Sequence, residues 1–124
     1  MNKGRTRTSP LTTIIRIVGW WLVTAIIVLT FVPPSLRSIT GVPHEFEHLV
    51  IFLLTGAAFG FGYPRRERIL CIAALFFSAV LEISQLIIPG RHARFTDFLT
   101  DAFGACTGII AASLLRSMRV QLTT

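Results

Sequence analysis

The chain has 124 residues, 52% of them hydrophobic and 15% charged, with a formal net charge of +6. So short a soluble domain leaves much of its surface in water and cannot hide this much apolar side chain, so the composition excludes an ordinary soluble globule and points to lipid as the solvent. The basic excess does not imply nucleic acid, because the arginines fall in clusters between apolar runs and form no single stripe.

A basic tail, residues 1–13, opens the chain with Lys3, Arg5 and Arg7. The first apolar run, 14–32, is closed by Pro33 and Pro34. It is too long for the apolar region of a cleaved signal peptide, and "TFVPPS" is a poor cleavage site, so the segment is expected to remain as a helix. Trp20 and Trp21 within it read as helix or interface anchors. The loop "PSLRSITGVPHEFE" follows, and across its end His44, Glu45 and His48 spell H-E-x-x-H. On a helix, that pattern places two histidines on one face as zinc ligands with the glutamate as base.

The second run, 46–63, ends at Pro64 and carries Gly56 and Gly60. Its start lies open to a turn earlier, near Pro43. Arg65, Arg66 and Arg68 separate it from the third run, 69–88, which holds Glu82 and Gln85 and stops at Pro89 and Gly90. The loop "PGRHARFTD" brings Arg91, His92 and Arg94. The fourth run, 98–115, contains Asp101, Gly104 and Gly108 and is preceded by Asp97; residues 116–124 form a short tail with Arg116 and Arg119. The paired glycines are spaced for close helix packing. Cys71 and Cys106 sit inside apolar runs and read as small hydrophobes without a redox role.

Each run is close to the roughly 20 residues that cross a hydrocarbon core as a helix. The expected fold is an all-α membrane protein, a bundle of four transmembrane helices. Short loops rich in Lys and Arg stay cytoplasmic. Lys3, Arg5, Arg7, Arg16, Arg65, Arg66, Arg68, Arg116 and Arg119 all fall on one side of such a bundle, and only Arg37, Arg91 and Arg94 on the other. Both termini are therefore expected inside.

Charged groups within a span cost a few kcal/mol and face a partner or a wet cavity. Glu82 lies seven residues before Pro89, roughly 10 Å below the outer end of its helix. Gln85 shares its face, and Asp97 and Asp101 stack one turn apart. With Glu47 and His48 at the head of the second helix and Arg91 in the loop, the polar residues converge in the outer half. The candidate pocket is thus Glu47, His48, Glu82, Gln85, Arg91, Asp97 and Asp101. Buried ion pairs that fix packing are the alternative, strongest for Asp97, whose place in a first helical turn also suits the helix dipole.

Glu47 and His48 opening a helix, Glu82 and Gln85 near the end of the next, then Pro89, Gly90 and Arg91, then Asp97, then Gly104 and Gly108, together resemble the VanZ-like family of small bacterial membrane proteins. The resemblance covers residues 43–115. Two positions depart from it: His44 stands where the family often has an acid, and Asp101 where it commonly shows asparagine. The resemblance implies a multi-pass protein of the bacterial cytoplasmic membrane, in a family named for a protein that gives low-level teicoplanin resistance and whose members mostly have no assigned activity.

Three functions compete. In the first, the outward polar cluster binds or processes a cell-envelope component, a cell-wall or lipid-linked ligand, or a glycopeptide antibiotic. Glu82 would be the central carboxylate, His48 or Asp97 its proton partner, and Arg91 the holder of an anionic group. In the second, His44 and His48 hold zinc in a membrane protease. That reading needs a third ligand from Glu82, Asp97, Asp101 or His92, and Pro43 puts His44 at a helix terminus, so no metal or other cofactor is expected. In the third, the protein is a relay or a non-enzymatic accessory subunit of an envelope complex, or self-associates; the inner half has no acids to match Glu82, which ranks an accessory or binding role above transport.

Overall fold

In a computed structural model of the protein, the described residues are 7–31, 44–87 and 95–123, the side chains of His44 and Glu45 excepted. They form four helices: α1 (Pro10–Phe31), α2 (His44–Gly62), α3 (Glu67–Gln85) and α4 (Phe95–Thr123). All four apolar runs are helical. The boundaries move outward where local chemistry allows, because a helix end is fixed by caps and prolines and not by hydropathy. Ser9 caps α1, its hydroxyl accepting from the Thr12 backbone N–H at 3.2 Å, and Pro10 takes the first helical position, where its missing N–H costs nothing. α2 starts directly after Pro43, and α4 runs on past Leu115 to Thr123, beyond its apolar part.

Alternation of direction follows from which residues meet. Arg16 and Gly19 of α1 lie against Gly62 and Phe59 of α2, so those helices are antiparallel. Glu67 at the start of α3 pairs with Arg116 late in α4 at 2.7 Å, so these are antiparallel too. α2 and α4 run parallel and make by far the most extensive contact. α1 packs on the flank of α2 and α3 on the flank of α4, while α1 and α3 touch only slightly.

The α2–α4 seam is built of glycine. A methyl group added to Gly56 would strike the Ala105 carbonyl, and one on Gly108 the Leu53 carbonyl. At Gly104 it would stand 2.9 Å from the Leu49 carbonyl, and at Gly60 2.7 Å from the Ala112 methyl. Here the close-packing spacing has backbone as its partner.

The buried apolar residues are few and mostly small: Ile26, Phe52, Leu81, Ala102, Ala105, Ile109 and Ala112. Large apolar side chains point outward instead, among them Trp21 at 71% exposure, Phe76 at 73% and Phe103 at 67%. A monomer in water does not present apolar surface on this scale. The hydroxyls of Thr24, Thr30, Thr55, Ser84 and Thr100 bond back to the carbonyl four residues earlier, satisfying polar groups within their own helix. α1 and α4 are long and apolar enough to cross a membrane; Phe46–Gly62 is a shorter apolar helix.

Arg7, Arg16, Arg65, Arg66, Arg68, Arg116 and Arg119 gather at one end of the bundle, with the start of α1, the α2–α3 turn and the end of α4. Arg16 donates from Nε to the Gly62 carbonyl at 2.7 Å and lays its guanidinium 4.5 Å from the Tyr63 ring centre, closing the C-terminus of α2 with a cation. Trp20 donates its indole N–H to the Tyr63 hydroxyl at 3.2 Å. In the turn, Arg65 has φ of 65°.

Gly108→Ala is expected to cost about 1–3 kcal/mol through overpacking against backbone. Gly19→Ala, whose new methyl meets only the Phe59 ring edge at 3.3 Å, is expected to be near neutral; equilibrium unfolding in micelles compares the two. Hydrogen bonding to backbone N–H at its helix start, and then Arg116, hold the Glu67 carboxyl below the ordinary carboxylate range. A lowered folded pKa gives stability that is present above the unfolded value, near about 4.3, and lost as pH falls through the folded one. The difference in Tm between wild type and Glu67→Gln is therefore expected at neutral pH and to disappear on acidification, as followed by thermal melts.

Candidate functional site

At the end of the bundle away from the arginine cluster, His48 on the second turn of α2 faces Asp101 on the second turn of α4. Nδ1 of His48 lies 3.0 Å from Oδ1 of Asp101. The glycine seam brings the two helices near enough for an aspartate, with its single methylene, to span the gap. Asp101 is 4% exposed and His48 half-buried. Against a carboxylate, Nδ1 is the donor, which fixes the tautomer and leaves Nε2 as the lone-pair nitrogen of the neutral ring. One turn inward, Phe52 stacks on the imidazole with ring centres 6.2 Å apart and meets Phe77 of α3 at 6.4 Å.

α3 contributes a polar strip to the same half of the bundle. Ser78, Leu81 and Gln85 are buried along one face of α3, and half-buried Glu82 stands beside it. Counting from the Glu67–Arg116 pair, Glu82 lies as far along α3 as Asp101 lies back along α4. Equal rise per residue sets the two carboxylates at one level. Asp97 is half-buried in the first turn of α4 and Glu47 is exposed.

Of the expected pocket residues, the fold thus brings His48 and Asp101 into contact, sets Glu82 and Gln85 on the neighbouring helix face at that height, and leaves Glu47 at the surface. Arg91, His92 and Arg94 lie outside the described residues. Among the described residues no three His, Cys, Asp or Glu gather as metal ligands. His44, which the zinc reading requires, opens α2, and its side chain lies outside the described set.

Ser78 was not expected in the site. It is fully buried, and its hydroxyl has no hydrogen-bond partner. Its signal was its place one turn before Glu82. Phe52 was likewise missed, as one aromatic among many.

The arrangement gives an imidazole oriented by a buried carboxylate, a second carboxylate at the same level, and an aromatic floor. Such a set can exchange a proton at Nε2 or hold a polar group presented from the bundle end. The family model described as VanZ/LLP1 matches residues 2–116 of the chain. No curated protein and no solved structure matches.

A double-mutant cycle with His48→Ala and Asp101→Ala is expected to return a coupling of about 1.5–3 kcal/mol, as for a hydrogen bond to a charged group. Asp101→Asn, whose amide oxygen still accepts from Nδ1–H, should keep most of the stability in the same unfolding assay.

Proposed function

Since the chain belongs to the VanZ/LLP1 family, we propose that it is a four-span protein of the bacterial cytoplasmic membrane, with both termini inside. Its outward-facing polar site binds the polar part of a cell-envelope component or of a glycopeptide antibiotic. The His48–Asp101 pair carries this reading: a 3.0 Å contact with the carboxylate almost fully buried, at the end of the bundle that lacks the arginine cluster. Basic residues retained inside support that orientation. The apolar outer faces of the helices support lipid as their surroundings.

In this reading Asp101 holds the imidazole, His48 meets the ligand through Nε2, and Glu82 answers a donor on the ligand or takes a proton from it. Arg91 supplies a cation for an anionic group. Burying an aspartate costs far more than an exposed one unless it is paired, and a bundle needing only packing is served more cheaply by apolar residues of similar volume. That difference favours a binding role over a purely structural one.

The test is teicoplanin susceptibility of a strain lacking the gene, complemented with variants at equal membrane abundance. Wild type and Asp101→Asn are expected to restore resistance, and His48→Ala and Glu82→Gln to fail. Full complementation by both failing variants would reduce the cluster to packing. Cysteines placed at Arg68 and Phe95 are expected to be labelled from the inside and the outside respectively, and the reverse pattern would overturn the topology.

A further inference from the structure

A cavity of about 200 Å³ lies midway along the bundle, directly below the His48–Asp101 level. Phe52, the ring on which His48 stacks, forms its top, and Trp20 with Phe59 its base. Its lining is almost wholly apolar. The two polar groups there are already engaged: the Thr55 hydroxyl with the Ile51 carbonyl at 2.6 Å, and the Trp20 indole with Tyr63 at 3.2 Å. Water entering would find no partners, and apolar cavities of about 150 Å³ stay dry and take up hydrocarbon instead.

The opening is lateral. α1 and α3 border the cavity yet hardly touch each other, and Ala73 at its rim is exposed with only a methyl group to close it. In the membrane reading, on which this inference rests, that side faces acyl chains.

We propose that the cavity holds a segment of the acyl chain of a bilayer phospholipid, entering sideways between α1 and α3, with its head group at the level of His48. The site then reads an amphiphile at two points: polar atoms at the His48–Asp101 pair, and a hydrocarbon segment beneath Phe52. No bond is made or broken in this step. The affinity comes from filling an apolar space that neither water nor side chains occupy.

The experiment uses the full chain in phosphatidylcholine vesicles containing a phosphatidylcholine with a mid-chain diazirine, followed by irradiation and residue-level mapping of adducts. In wild type, adducts are expected at Phe52 and Phe77 as well as at outward-facing Phe103. Ala73→Trp, which plugs the rim without entering the core, and Ala74→Phe, which fills the interior, should each cut the Phe52 and Phe77 adducts several-fold and leave Phe103 unchanged. Labelling of Phe103 alone in wild type, or equal labelling of Phe52 in both variants, overturns the acyl-chain proposal while the membrane reading stands. Failure of the protein to float with vesicles, with no adducts anywhere, overturns both.

Discussion

The parallel contact of α2 with α4, backbone against backbone, sets where everything else in the bundle can go. Gly56, Gly60, Gly104 and Gly108 each lie where a methyl group would meet a neighbouring backbone or side chain at less than ordinary contact distance. A glycine inside a helix costs roughly 1 kcal/mol relative to alanine when the chain can unfold into water. In hydrocarbon the helix cannot exchange its hydrogen bonds for water, so that cost weighs little and the gain from close packing decides. With α2 and α4 drawn together, α1 and α3 are left on opposite flanks, too far apart to meet. The lateral cavity is the space they fail to fill.

The same approach makes the polar pair possible. A carboxylate as buried as that of Asp101 is stable only if something answers its charge, and an imidazole one helix away at 3.0 Å does so. Breaking the pair from either side leaves the other group stranded, whereas replacing Asp101 by asparagine leaves an acceptor in place. The Phe52 ring beneath separates this wet end from the apolar interior. Polar recognition and hydrocarbon packing are thereby stacked along one axis.

Much of this could be read from particular residues before any coordinates. The four apolar runs and their proline stops defined the helices, and the arginines at 65, 66 and 68 defined which ends belong together. His48, Glu82 and Asp101 stood out because ionisable groups are rare in apolar runs. The paired glycines announced a close contact without naming its partner, because spacing within a helix says nothing of which other helix will face it. That α2 would choose α4, 33 residues beyond its end, and run parallel to it depended on fitting two glycine faces together. Ser78 and Phe52 were invisible for a related reason: serine and phenylalanine occur throughout apolar helices, and only packing singles these two out. H-E-x-x-H misled by being local. Its second histidine turned out to be held by a carboxylate on another helix.

The short turn between α2 and α3 holds Pro64 followed by Arg65 in the left-handed backbone region. A non-glycine residue there carries a strain on the order of 1–3 kcal/mol that glycine would avoid. Arginine at that spot makes sense only if the position answers to an event earlier than packing. As a nascent chain enters a bilayer, it is a cation beside the emerging hairpin that decides which side the turn remains on. The finished molecule thus keeps, in one uncomfortable dihedral angle, the trace of an instruction that was spent during its insertion.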